Sequence, residues 1–264
     1  MQLSVVHSTT YRYAEPVARS TQIIRLTPYP STRQKTLHWE LSLPRPAITL
    51  RDAFDNVTSL LTIDWPHAEI SLVASGRVEV DDVDDGEPAG RIDPMVFLRD
   101  TTLTEPDDAL RAFVDPMRAL AAKRPLIGIT DLMNGIIERM PYEKGHTSAA
   151  STAAQAFAAG RGVYQDHAHV FIACCRLLAV PARYVSGYVY STNHEQVASH
   201  AWAEAWLGNR WVGFDVSNAR SGAGAGAHLK LALGLDYSDA CPIRGVRLGG
   251  GDEELSTSAQ VRAA

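Results

Sequence analysis

The spacing of apolar residues changes twice along this chain, and those changes restrict the fold more than any single motif. From Leu3 to Tyr13 the residues Leu3, Val5, His7, Thr9, Tyr11 and Tyr13 fall on one side of a period of two, with β-branched and aromatic types frequent, which predicts a strand. Further strand-like runs follow at 21–27, 36–43, 57–63 and 70–80, separated by turn-forming clusters such as Pro28-Tyr29-Pro30-Ser31 and Asp52-Ala53-Phe54-Asp55-Asn56. After residue 105 the spacing becomes three and four. Beyond Pro181 it returns to two, over 183–190, 199–207 and 210–216. Strands, then helices, then an antiparallel sheet define an α+β chain.

The stretch between the first two regimes reads VDDVDDGEPAGRIDP from Val80, with six acidic residues, two prolines and two glycines. It predicts a linker, with the acidic run from Asp81 to Glu87 solvated. Expected boundaries are a β domain at 1–82, a linker at 83–98, a core at 99–250 and a polar tail at 251–264 carrying one edge strand at most. Within the core, Glu105-Pro106-Asp107-Asp108 marks a helix start and Asp115-Pro116 an interruption. Thr130-Asp131 stands before the set Leu132, Met133, Ile136, Ile137 and Met140. A further helix begins near Tyr164, carries Val170, Phe171, Cys174, Leu177 and Leu178, and stops at Pro181.

Charge and cysteine usage narrow the partners. With 25 Lys and Arg against 30 Asp and Glu the net charge is −5, which supplies no electrostatic pull toward nucleic acid or an anionic membrane. The three cysteines, Cys174, Cys175 and Cys241, are odd in number and two are adjacent, which points to a reducing compartment. The opening MQLSVVHSTTYRYAEPV lacks a basic region followed by an apolar core, so no signal peptide is expected and the location expected is cytoplasmic. The most apolar run, 170–180, contains Arg176 and falls short of the roughly 20 residues needed to span a bilayer.

The pair Gly208-Asn209 predicts a two-residue hairpin turn, and its geometry fixes which side chains can meet. With Trp206 opposite Trp211, paired residue numbers sum to 417, so His200 and Asp215 become diagonal neighbours on one face, about 7–8 Å apart at the backbone. The other face is Ala201, Ala203 and Ala205, small enough for the helix from Tyr164 to pack closely. A carboxylate that orients an imidazole beside a helix N-terminus is the equipment of nucleophilic acyl transfer, and the nucleophile is expected at that helix start.

Four ordered blocks, Gly162-Val163-Tyr164-Gln165-Asp166-His167-Ala168-His169, Pro181-Ala182-Arg183-Tyr184-Val185-Ser186-Gly187-Tyr188, Ser199-His200-Ala201-Trp202-Ala203-Glu204 and Trp211-Val212-Gly213-Phe214-Asp215, resemble the bacterial transglutaminase-like family, within the transglutaminase-like cysteine peptidases. Thr10-Tyr11-Arg12-Tyr13 and the 52–56 turn resemble that family's extra N-terminal β domain, and Asp236-Tyr237-Ser238-Asp239 resembles its end. The resemblance implies a papain-like core with helices packed on an antiparallel sheet. It also implies a Cys-His-Asp triad that attacks an amide, forms a thioester and passes the acyl group to an amine or to water. His200 and Asp215 match the base and the orienting acid. The nucleophile position holds Tyr164, and thiol acyl transfer cannot occur there. Cys174 lies ten residues on, about 15 Å along a helix, and Cys175 lies farther.

Two readings follow: an enzyme of the transglutaminase or amidase class with impaired catalysis, and a non-catalytic relative that binds peptide-like or glutamine-bearing chains in the remnant groove. The partner expected is a peptide or protein amide. Trp202 is a candidate groove residue, although tryptophans across a hairpin also pack simply as sheet, and Tyr142 is a candidate oxyanion donor. No cofactor is expected. No metal is expected either, because His167 and His169 point to different sides of a helix and the adjacent cysteines lack a ligand spacing.

Overall fold

The computed structural model describes residues 1–81, 86–190, 199–222 and 228–264. A 23-residue strand, β1 (Gln2–Ile24), forms the spine of the first sheet. It is joined by β2 (Gln34–Ser42), β3 (Ile48–Arg51), β4 (Val57–Ile63) and β5 (His67–Val80), in the order β2-β5-β1-β4-β3. The alternation that predicts the strand also sets its faces: Leu3, Val5, His7, Thr9 and Tyr13 are buried. The two runs expected at 3–13 and 21–27 are therefore parts of one strand. The four-residue β3 is exposed throughout, and its brief alternation, Ile48 and Leu50 against Thr49 and Arg51, is too short to announce a strand.

Helices follow as α1 (Asp108–Val114), α2 (Arg118–Lys123), α3 (Pro125–Arg139), α4 (Ala153–Ala159) and α5 (Tyr164–Leu177). Asp107 caps α1 by accepting from the Leu110 N–H at 2.9 Å, and a 3₁₀ turn over Asp115–Met117 separates α1 from α2 where Pro116 removes a backbone donor. Helix α3 starts at Pro125, five residues before the expected Thr130, because Pro suits the first helical turn. Helix α4 was not expected, yet its Thr152 to Gln155 capping box is a legible start signal.

The second sheet contains β6 (Ala182–Val189), β7 (Ser199–Leu207), β8 (Arg210–Asp215), β9 (Arg220–Ser221) and β10 (His228–Gly234), ordered β10-β6-β7-β8-β9. Pairs Trp206 with Trp211, Ala205 with Val212 and Ala203 with Phe214 all sum to 417, and Gly208 and Asn209 both take positive φ, as the hairpin turn demands. Ala201, Ala203 and Ala205 bring α5 close to β7, with the Phe171 and Phe214 rings 5.0 Å apart beneath. The chain is α+β, with the helices of its second half packed on an antiparallel sheet.

Residues 251–264 carry the one edge strand expected of the polar tail, and that strand takes up nearly all of it. After the short α6 (Tyr237–Ala240), β11 (Ile243–Gly249) and β12 (Glu253–Ala263) return to the first sheet. Strand β12 pairs antiparallel with β1 from Leu3 opposite Ala263 to Tyr13 opposite Glu253, and β11 pairs with the other half of β1. Polar side chains read as a tail because β12 is exposed along most of its length; Ala259 is buried.

The linker also differs. Residues 82–85 of the acidic run lie outside the described residues. Glu87, expected to be solvated, is 9% exposed and bridges its backbone to Trp211 at 2.9 and 2.7 Å. Its carboxylate accepts from Ser31 Oγ at 2.6 Å and Lys230 Nζ at 2.8 Å, and Arg183 lies at 3.4 Å. Two buried cations, Arg183 and Lys230, explain why an acidic residue goes inside here. Further on, the 3₁₀ helix Pro94–Leu98 seats Phe97 edge-on against Trp211 at 5.2 Å.

Candidate functional site

Helix α5 presents Tyr164 as its first residue. Asp166, at the third position, accepts from the Val163 N–H at 2.8 Å and from Thr147 Oγ1 at 2.7 Å, and so ties the preceding loop to the helix start. His167, one turn along, donates from Nε2 to the Met140 carbonyl at 2.8 Å and accepts from Ser217 Oγ at 3.0 Å. It is thus a buried brace. Burial lowers its pKa, with the Met140 carbonyl opposing. His169 accepts from the Tyr237 N–H at 3.1 Å and is buried, so both helix histidines hold structure.

His200 and Asp215 meet as the hairpin register requires, with Nε2 donating to Oδ2 at 2.8 Å. Both are buried. Burial alone would raise the Asp215 pKa, but hydrogen bonds from His200 and His228, and the charge those rings can carry, outweigh it and hold the carboxyl well below the usual range. Because Nε2 serves the carboxylate, Nδ1 is the nitrogen left for a reacting group. The ring of Tyr164 lies against that imidazole, 5.2 Å between centroids at 63°. Burial raises the Tyr164 phenol above its ordinary pKa, the reverse of what a nucleophile needs.

The cysteines do not substitute. Cys174 and Cys175 are buried in the core around α5, and burial drives both thiols well above their ordinary pKa, the opposite of an activated thiolate. Trp202 shares the face of His200 but is 3% exposed, packed with Phe97, Val185, Trp211 and Leu233 and edge-on to His228 at 4.9 Å. It walls the layer behind the dyad, because the 3₁₀ helix Pro94–Leu98 covers the face expected to be a groove. Tyr142 is 45% exposed and lies beside α5, where a backbone bridge joins it to Gly162 and its ring stands 6.3 Å from His167.

Two partners escape sequence reasoning. His228 turns Nε2 to the same Asp215 oxygen that His200 uses, also at 2.8 Å, and Asn218 Nδ2 reaches that oxygen at 2.7 Å. Strands β6 and β7 stand between β10 and β8, so no local pairing rule brings His228 to Asp215. Gly187 of β6, paired with Lys230 on one side and His200 on the other, presents no side chain in the way. Below this layer Glu204 accepts from Arg183 Nε at 2.7 Å and pairs with Lys230 at 2.7 Å. Burial would raise the Glu204 pKa, but the two cations prevail and hold it at about 2.

Known proteins divide the chain along the same lines. The bacterial transglutaminase-like N-terminal region matches residues 3–79, and the transglutaminase-like superfamily matches residues 112–216. An uncharacterized protein of Mycobacterium tuberculosis is 30% identical over 274 residues, covering 92% of this chain and 86% of its own length. An uncharacterized protein of Mycobacterium leprae is 27% identical, covering 98% of each chain. The crystal structure of a candidate cysteine protease from Cytophaga hutchinsonii superposes with a TM-score of 0.77 at 20% identity, over 99% of this chain and 90% of that one, which is a likeness of fold. With both halves matched in order and a relative aligned along nearly its full length, the chain belongs to the bacterial transglutaminase-like family.

Proposed function

We propose that this chain belongs to the Cys-His-Asp acyl-transfer class by descent but performs no thiol acyl transfer, and that the surface beside Tyr142 and Tyr164 binds peptide-like or glutamine-bearing chains. One observation carries the reading: the Tyr164 ring occupies the space against His200 that an attacking sulfur and the donor amide would need. A phenol buried enough to have its pKa raised is a poor nucleophile, and its bulk restricts approach to the imidazole.

The intact pairing of His200 with Asp215 favours a second reading, in which Tyr164 itself is acylated. Intact-mass analysis after incubation with an activated-ester analogue of a glutamine-bearing peptide separates the two. Binding of the unreactive parent peptide with no mass gain supports the binding role. A stable adduct mapped to Tyr164 overturns it in favour of catalysis, and absence of both binding and adduct removes the peptide-like ligand.

A further inference from the structure

Asp215 Oδ2 receives two imidazole nitrogens of the same kind, His200 Nε2 and His228 Nε2, each at 2.8 Å, and the Asn218 amide at 2.7 Å. A carboxylate offers about four lone-pair sites on two oxygens, and donors gathered only for hydrogen bonding can be shared between them. Here Oδ1 is left with the Asn218 N–H at 3.3 Å. A triad needs one imidazole on this carboxylate, and His228 is in excess of that need.

We propose that His200, Asp215 and His228 form a binding site for one divalent first-row transition-metal ion, with Zn²⁺ as the representative. The three ligand atoms lie within 4.8 Å of one another and all three residues are buried. Metal–nitrogen and metal–oxygen bonds of about 2.0–2.2 Å place neighbouring ligands roughly 3 Å apart at right angles, close to the two 2.8 Å edges found here. On one ion neighbouring ligands stand roughly 3–3.5 Å apart, so the third edge, up to 4.8 Å, closes by about 1–2 Å through rotation of the two imidazoles. Two imidazoles with one carboxylate is a donor set that suits zinc, iron, cobalt or nickel over magnesium or calcium. Asn218 Nδ2 stands 3.3 Å from His200 Nε2, two N–H donors facing each other if both imidazoles bond to Asp215; turned over, the amide presents Oδ1 as a fourth ligand.

A second observation lies on the far side of His228. Its Nδ1 is buried without a hydrogen-bond partner among the described residues. The ring lines a small polar cavity together with Glu204, Lys230, Gln34 and Arg33. With Nε2 on a metal the proton resides on Nδ1, and a water in that cavity can accept it, as the outer nitrogen of a ligating histidine requires. The site needs neither a thiol nor an open cleft, so it is compatible with Tyr164 and independent of the peptide-binding reading.

The test is equilibrium dialysis of the full chain, stripped with a chelator, against Zn²⁺ and separately Co²⁺, with bound metal counted by mass spectrometry. One equivalent is expected, together with a metal-dependent rise in melting temperature. His200→Ala and His228→Gln should each weaken binding by more than about 100-fold, beyond the ~10–100-fold typical of a merely supporting partner. His146→Ala, at an exposed histidine, should leave it unchanged. Should a variant fail to fold, ring-nitrogen NMR of the parent chain decides, since Zn²⁺ must shift the His200 and His228 signals and no other histidine. Absence of stoichiometric metal, loss of metal on His146→Ala, or binding that survives both site substitutions overturns the proposal.

Discussion

The Tyr164 ring and the His200 imidazole meet in an edge-type contact, 5.2 Å between centroids at 63°, so the nitrogen proposed as a base is covered by an aromatic ring. On the proposed reading, Tyr164→Cys is expected to create acyl transfer from a glutamine amide. The helix start, His200 and Asp215 are already placed to favour a thiolate. Loss of the nucleophile in a comparable triad costs on the order of a million-fold, so the gain should be visible as ammonia release against a blank parent chain. Adding His200→Ala to Tyr164→Cys should abolish it. A single variant no more reactive to a thiol probe than the parent would mean that the site has decayed beyond residue 164.

Acid should destabilise the fold through two buried histidines. Burial lowers His7 and His169 from 6.5 to about 4, so above pH 6.5 neither the folded nor the unfolded state is protonated at these rings. Between pH 6.5 and 4 the unfolded chain takes up protons that the folded chain refuses. Each ring then withdraws stability as pH falls, to a total of about 3 kcal/mol, and the loss is complete below pH 4. Urea unfolding across that window checks it. His169→Gln, which keeps an acceptor for the Tyr237 N–H, should remove about half of the combined slope.

Glu204→Ala should lower stability by about 3–5 kcal/mol, because Arg183 and Lys230 would be left buried with Glu87 alone between them. Chemical denaturation reads the loss directly. An effect below ~1 kcal/mol, the level of a surface pair, would show that water enters this layer.

Deleting residues 253–264 should impair folding, contrary to what a polar tail implies. The first half of β1 would lose one of its two neighbours and become an open edge, and His7 would lose its 3.2 Å contact with Thr257. A lowered melting temperature with concentration-dependent aggregation is expected, and a truncated chain as stable and monomeric as the parent would contradict it.

What the sequence discloses, and what it hides, follows from distance along the chain. The pairing of Trp206 with Trp211 depends on a turn between them, so local chemistry settles the register and, with it, the meeting of His200 and Asp215. His228 lies only 13 residues past Asp215, yet β10 enters the sheet beside β6, and that choice is made by packing across the whole core. Glu87 looks solvated because it ends an acidic run, while the cations that bury it are 96 and 143 residues away. Trp202 illustrates a different gap: its face follows from period two, but what covers that face comes from the 3₁₀ helix Pro94–Leu98.

The pairing of β1 with β11 and β12 carries a consequence for how the protein comes off the ribosome. Residues 2–80 are synthesised before the rest of their sheet, and β1 completes its hydrogen bonding only with strands made more than 200 residues later. Contacts of such long sequence separation form slowly. Until residues 243–263 emerge, one side of β1 lacks its partner strands, so this sheet cannot be completed before the C-terminal segment is made.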